Sequence, residues 1–475
     1  MNTAVSALTA VDFAPLRDAL LPQKALFPGL SRPGSRVIVP ADADYEIVRR
    51  VWSSHIDKRP IAIVQVTGVA DVIATVNFAR ENGIPLAVRG GGHASSGYST
   101  VDDGIVLDLS PMRGIFIDPE NKVARVEAGV LLGELDHQCA PFGLAAVGGT
   151  NSTTGVAGLS LHGGFGYLSR RHGYTADTVR SVQLVTADGQ LRTASRDVNP
   201  DLFWAVRGAG ANFGVAVSFE YELFDLDQNI QAGAIAFPID RAAEFFGLFN
   251  EWAPTTPDDL YSEALVWFQP GDDGEPTDVP VVALSIVYTG SGDLDEILAP
   301  IRAFGGPLFD DVAPTTYLIV QKQYDETIHH GLSMVHTYGV LPELTPELID
   351  STIAGFLETP SRNTLISFGY WGGAMARPAT EPNALARGTA PWRAVCETIW
   401  PDGGDAEANI TWSREYWNTL RPHFADETQY LNYTTYADED AVRKAYGEES
   451  YARLREVKRK YDPTNFFRVN FNIVP

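Results

Sequence analysis

Apolar and polar positions change period at recognisable places along the chain. Residues 59–66, RPIAIVQV, form a short apolar run that predicts a strand. Residues 69–83, VADVIATVNFARENG, then set apolar positions at helical spacing and end on Gly83, suited to the position after a helix. Residues 84–87 read as the next strand, which completes a β-α-β unit. Short strands follow at 104–110, within 114–129 around a turn at 118–121, and within 181–195, where Asp188-Gly189 supplies a hairpin turn. A short helix near the N-terminus and a second at 45–53, YEIVRRVWS, precede this region.

Downstream of Leu223 glycine clusters thin out. Strand-like runs at 232–237, 264–268, 279–288, 364–371 and 408–413 alternate with helical stretches at 240–252 and 345–358. This pattern predicts a second α+β domain with a mostly antiparallel sheet. Residues 269–278, QPGDDGEPTD, read as an acidic surface loop, and 448–475 hold a charged helix ending at Asp462-Pro463. At 475 residues the chain exceeds the roughly 250–300 at which one hydrophobic core stops growing, so more than one domain is expected.

Charge narrows the partners. With 36 Lys and Arg against 60 Asp and Glu the net charge is −24, which repels polyanions and makes nucleic acid and anionic membrane unsuitable. No apolar run reaches the roughly 18 residues of a membrane-spanning helix, and the N-terminus lacks the basic start of a signal peptide, so a cytoplasmic location is expected. Cys139 and Cys396 form no CxxC pattern, which excludes a disulfide-stapled scaffold, and no metal site is expected.

Three glycine-rich tracts carry the candidate chemistry. In VRGGGHASSG (88–97), consecutive glycines let backbone N–H groups converge on an anion, and His93 at the lip can reach whatever the loop holds. The second tract is GGTNSTTGVAGLSLHGGFGYLSRRHG (148–173), and the third is RGAGANFGVAVSFEYEL (207–223). Glycine-rich turns in a β-rich domain need no ligand. Three of them plus a histidine favour a long ligand that meets backbone along its length, such as a dinucleotide. Neither a strand–GxGxxG–helix context nor GxxxxGK[ST] is present, so a Rossmann site or a P-loop is unsupported.

Taken with YDPTNFFRVNFNI (461–473), the motifs RGGGH (89–93), NSTTGVAGLSLHGGFGYLSRRHG (151–173) and RGAGANFGVAVSFE (207–220) resemble the berberine-bridge-enzyme-like branch of the FAD-linked oxidases related to vanillyl-alcohol oxidase. The resemblance implies an α+β fold. A PCMH-type two-part FAD-binding domain would span 1–225 and regain the chain at 426–475, with an antiparallel-sheet substrate domain flanked by helices at 226–425. It implies a covalent bond from His93 to the 8α carbon of FAD. Around it, Arg89, Gly90, Gly91, Gly92, Ala94, Ser95 and Gly97 would form the first part of the cofactor site. The second tract would add Gly149, Thr150, Asn151, Thr154, Gly155, Gly158, Leu161, Gly163 and Gly164, and the third Gly210, Gly214 and Val215. Asn470 and Asn472 would return from the C-terminus, their amides bonding flavin or ribityl groups. Asn151 stands where plant-type members carry a second, cysteinyl tether, so one tether is expected. His162 replaces a usual glycine, beside the flavin or without a chemical role. Arg170, Arg171 and His172 are expected to be structural or to line an entrance.

The same resemblance supplies a base. QYLNYTTYAD (429–438) is similar to the family's YxNY element, which makes Tyr430 the first candidate; Tyr370, before Gly372-Gly373, could assist it. A tyrosine base needs a cationic or hydrogen-bonding neighbour to act near neutrality. Asn432 and Trp371 are expected at the substrate, and Trp267, Trp371 and Trp392 could stack on a sugar. The implied activity is oxidation of an alcohol or similar C–H centre of a carbohydrate or natural product, with O2 as acceptor and H2O2 as product. A dehydrogenase or oxidative cyclase using another acceptor, and a flavin-binding protein without turnover, remain open.

Overall fold

The run at 59–66 becomes a strand inside a four-stranded sheet ordered Arg36–Ile38, Ala62–Gln65, Ile105–Asp108, Leu86–Arg89 in the computed structural model, which describes residues 11–20, 24–27, 30–32, 34–271 and 274–475. The expectations for the first ten residues lie outside these. Ala62–Gln65 and Leu86–Arg89 both run parallel to Ile105–Asp108, which is inserted between them. Helix Val69–Glu81 makes the crossover, burying Val72, Val76 and Ala79, and Gly83 follows with φ of +65°. A five-stranded sheet beside it contains both expected hairpins, Ile115–Asp118 with Val123–Glu127 and Val179–Val185 with Leu191–Ser195, joined by Val215–Glu222.

The helix expected at 45–53 covers only Tyr45–Val48. The chain is then drawn aside. Trp52 donates its backbone N–H to Gly92 O (3.0 Å) and sets its buried ring 4.8 Å from that of His93, so contact with the glycine loop overrides local helical pattern.

The second region is built on an eight-stranded antiparallel sheet ordered Phe309–Asp310, Asn229–Pro238, Pro276–Tyr288, Leu260–Pro270, Leu365–Tyr370, Trp392–Trp400, Ser333–Leu341, with Ala313–Thr316 also pairing to Asn229–Pro238. Helices Ala242–Trp252, Leu294–Phe304, Pro346–Phe356 and Ala406–Leu420 share a core with one face of it, through buried side chains such as Phe245, Phe246 and Phe249. Each such side chain stabilises by about 1.5–3 kcal/mol. Because side chains alternate, the other face is left for different use.

Residues 408–413, expected as a strand, lie inside helix Ala406–Leu420. Asp405 caps it by accepting from Ala408 N (3.0 Å), and the buried stripe Asn409, Ser413, Tyr416, Trp417, Leu420 recurs at helical spacing with polar members at its start. Six residues were too few to separate the two periods. The expected loop at 269–278 is a turn between Leu260–Pro270 and Pro276–Tyr288, with 272 and 273 outside the described residues.

The C-terminal helix Glu448–Tyr461 packs back onto the first core, which gathers residues from Phe13 to Leu223 together with Leu431 and Leu454, Phe467, Phe471 and Ile473. A buried clip holds it. Lys458 Nζ donates to Asp462 Oδ2 (2.8 Å), Asn212 O (2.7 Å) and Phe467 O (2.8 Å), tying the tail to the third glycine tract. Among the described residues no helix is long and apolar enough to cross a membrane, and both cysteines are buried and free.

Candidate functional site

The glycine tracts and the free face of the large sheet enclose a cavity of about 1210 Å³, larger than the roughly 300–1,000 Å³ of a drug-sized pocket and so roomy enough for a cofactor and a substrate together. Its glycine wall contains Gly90, Gly91, Gly92, His93, Ala94 and Ser95, then Gly149, Thr150, Asn151, Thr154, Gly155, Gly158, Leu161 and His162, then Gly214 and Asn470. Tyr430 and Asn432 line it as well. The first two tracts touch backbone to backbone: a Cβ on Gly91 would lie 2.5 Å from Gly155 N, and one on Gly155 2.5 Å from Gly91 N. Part of the glycine density therefore serves this contact.

Other expected cofactor residues stand behind the wall. Arg89 forms an ion pair with Asp108 (2.7 Å) and donates to Val48 O (2.7 Å), which buttresses the loop from beneath. Gly97 packs on Ile56 and Gly210 on Leu161, Val215 is a buried strand residue, and Gly163 and Gly164 pack against Tyr430 and Thr175. Asn472 does not line the cavity, and its Oδ1 is buried without a partner.

Polar atoms on the cavity side are left open. His93 Nε2, His162 Nε2 and Asn470 Oδ1 are buried with no hydrogen-bond partner, while Asn470 Nδ2 donates to Ala211 O (2.8 Å). Burial pushes His93 and His162 down to about 4, so both imidazoles are neutral at physiological pH. A bare glycine cradle edged by unpartnered donors and acceptors fits the FAD that the sequence resemblance implies. Asn151 closes a tight turn instead of pointing a reactive group inward, its Oδ1 accepting from Thr153 N (2.9 Å) and Thr153 Oγ1 (2.6 Å). Neither cysteine reaches the cavity.

Tyr430 Oη accepts from Gly164 N (2.7 Å) and from Asn432 Nδ2 (3.3 Å). Both bonds favour a phenolate, but burial among Phe165, Trp371, Tyr174, Tyr338 and Tyr433 outweighs them and holds the phenol well above its ordinary value of 10. Asn432 sits on the 3₁₀ turn Leu431–Tyr433, not on a strand, and also donates to Leu159 O (3.1 Å).

Tyr370 does not reach the site. In strand Leu365–Tyr370, Leu365 and Ser367 face the cavity, so Ile366, Phe368 and Tyr370 face the helices, where the Tyr370 ring meets Trp392 at 5.1 Å. Parity also turns Trp392 away. Trp371 lies behind Tyr430 against Phe165 (ring centroids 4.2 Å), while Trp267 lines the cavity. Arg170 bonds Thr256, Arg171 pairs with Asp259, and His172 stacks on Phe224; all three brace the fold.

The sheet wall contains residues absent from the sequence reading. Glu263 and Glu397 face the cavity from Leu260–Pro270 and Trp392–Trp400, with Tyr167, Tyr261, Tyr324 and Tyr433 around them. Burial pushes each carboxyl up to about 7, and Glu263 adds to the effect at Glu397. A lone glutamate inside an apolar strand was the available signal, in LYSEALVWF and WRAVCETIW. His336 joins the walls: its Nδ1 is 2.9 Å from Ser95 Oγ, which is 2.8 Å from Thr435 Oγ1, and Thr435 Oγ1 accepts from His336 N (2.7 Å).

Residues 60–195 match the family model described as FAD binding domain, and 429–474 that described as berberine and berberine like. The chain is 32% identical over 454 residues to (R)-6-hydroxynicotine oxidase of Paenarthrobacter nicotinovorans, covering 92% of this chain and 96% of that protein. It is 37% identical over 207 residues, 42% of each chain, to xylooligosaccharide oxidase of Thermothelomyces thermophilus. The crystal structure of 6-hydroxy-D-nicotine oxidase from Arthrobacter nicotinovorans superposes with a TM-score of 0.83 at 30% identity, over 93% of this chain and 98% of that one.

Proposed function

Because the chain belongs to the berberine-like FAD-linked oxidoreductases, we propose that it is an oxidase that takes a hydride from a C–H centre of a small organic molecule and passes the electrons to O2, giving H2O2. The observation that carries this reading is one cavity bounded by the neutral, unpartnered His93 and by the Tyr430 hydroxyl. Bound FAD supplies the two-electron acceptor. His93 is the single covalent tether. Its neutral ring keeps a lone pair free to bond carbon, and Trp52 and the Ser95–His336 contact fix the loop that carries it. Gly90 to Gly92 and Gly155 bring backbone close to the cofactor, and Asn470 offers its free amide oxygen.

Tyr430 receives the substrate proton as the hydride leaves. Gly164 N–H and the Asn432 amide hold its oxygen in place and stabilise the phenolate that accepts the proton and is neutralised by it. The raised value of the phenol means that its active form is scarce at neutrality and grows with pH. Anaerobic mixing with a panel of alcohols, amines and sugars tests the activity by bleaching of the flavin absorbance. Reoxidation by air within seconds, with stoichiometric H2O2, is expected of an oxidase. Persistence of the reduced state in air marks a dehydrogenase and overturns the oxidase reading.

A further inference from the structure

We propose that the sheet wall of the cavity is a cation subsite, which selects a substrate carrying a protonated or quaternary amine. This inference rests on the oxidase reading of the same cavity. Strand register sets the geometry. Glu263 pairs with Gly369 and Glu397 with Leu365, so the two glutamates stand at opposite corners of the cross-strand row Leu265, Ser367, Val395, all of which face the cavity. That row is a floor of two apolar side chains about Ser367, with a carboxyl at each of two diagonal corners.

Aromatic rings complete the wall. Tyr433 and Tyr324 each lie close enough to both glutamates to feel their charge, and Tyr261 hydrogen-bonds Glu263 and meets Tyr167 edge-on at 5.1 Å. Tyrosine faces and carboxylates both attract an organic cation, and desolvation strengthens the attraction. An unpartnered hydroxyl adjoins them: Thr364 lines the cavity beside the Leu365–Glu397 pair, is 1% exposed, and its Oγ1 bonds no protein group.

The field of the whole cavity has the same sign. Glu275, Asp311, Glu326 and Asp402 also line it, whereas Arg362 is the one lysine or arginine among its described lining residues and pairs with Asp278 at 2.8 Å. The histidines on the glycine wall are neutral and do not offset these carboxyls. A cationic molecule is drawn in and an anionic one is repelled. The relevant chemical class is therefore organic amines, and a neutral sugar would leave the two buried carboxyls without a countercharge.

The test uses the flavin-loaded enzyme and a pair of compounds that it need not oxidise: benzyltrimethylammonium and its neutral carbon isostere neopentylbenzene, titrated by perturbation of the flavin spectrum at low ionic strength and pH 8. The cation is expected to bind at least about tenfold more tightly than the isostere. E263Q and E397Q should each reduce that ratio and the double variant bring it to about one, with neopentylbenzene affinity unchanged as the control for an intact cavity. Equal affinities in the unaltered enzyme, no binding of the cation, or a preference that survives in the double variant overturns the proposal. Because binding is read without turnover, failure here is distinct from failure of the oxidase reading, which substrate reduction and reoxidation decide.

Discussion

The two walls of the cavity use opposite means. The glycine wall exposes backbone, and its two histidines, His93 and His162, are neutral, so it offers shape and hydrogen bonds with little formal charge. The sheet wall exposes two carboxyls and Tyr261 on strands whose opposite faces pack against helices, with Tyr167, Tyr324 and Tyr433 brought against them from turns. A wall of backbone is intolerant of added atoms and indifferent to pH. A wall of titrating side chains should tolerate isosteric exchange and respond to pH. Substitutions on each side test the contrast.

The largest effect is expected at His93. His93→Ala should abolish covalent attachment, so that acid precipitation releases all the flavin into the supernatant while the pellet of the unaltered protein stays yellow. A colourless pellet from the unaltered protein would remove the tether from the glycine wall altogether. Next is Tyr430→Phe, which keeps the ring packing and should slow anaerobic flavin reduction by about a hundredfold, roughly 2.7 kcal/mol in the barrier. Its pH profile separates the walls further. With Tyr430 as base the reduction rate of the unaltered enzyme should keep climbing above pH 9, whereas a rise that levels off near pH 7 would assign the proton to Glu263 or Glu397 instead.

Gly91→Ala should follow. The new Cβ meets Gly155 backbone at 2.5 Å, and backbone cannot rotate away as a side chain can, so overpacking of about 1–3 kcal/mol is expected as a lowered thermal midpoint together with reduced flavin loading. Gly247→Ala is the internal control, because it lies outside the cavity on an exposed helix face with no atom within 4 Å of its added Cβ, so flavin loading should not change and the midpoint should not fall.

The same contrast explains what could be read from residue order. Backbone cradles are made of contiguous residues, so RGGGH, NSTTG and RVNFN are visible as runs, and the segment after Gln429 shows Tyr430 with one donor, Asn432, while the other, Gly164, comes from a distant tract. The carboxyls of the sheet wall, at 263 and 397, reach one face only through strand pairing, and Tyr324 and Tyr433 come to them from turns far off in the chain. Strands Ser333–Leu341 and Trp392–Trp400, the second of which carries Glu397, were not anticipated. Facing was equally hidden. Tyr370 and Ser367 share one six-residue strand, and local pattern does not tell which parity meets the cavity, so a tyrosine that resemblance puts at the substrate packs beneath the helices. The strand assigned to 408–413 failed for a related reason, since the polar members of its helix's buried stripe, Asn409 and Ser413, masked the helical period.

The smallest effect is a pH dependence confined to the sheet wall. Glu397 is held at about 7 against an ordinary value of 4.5, so the folded protein binds more protons than the unfolded chain between these values. Its contribution to stability is therefore fully present below about pH 4.5 and declines as pH rises through 7. The groups facing it are Glu263, two strands away across Leu365–Tyr370, His336 opposite it in register, and the hydroxyls of Tyr324 and Tyr433. None of them is a cation at neutral pH, so none reverses the sign. Glu397→Gln removes the titration while keeping the shape. Its thermal midpoint should match that of the unaltered enzyme at pH 5 and exceed it at pH 8, by a gain on the order of 1 kcal/mol after screening by cavity water. Equal midpoints at both pH values would mean that Glu397 is ionised throughout, and the sheet wall would then be as indifferent to pH as the glycine wall it faces.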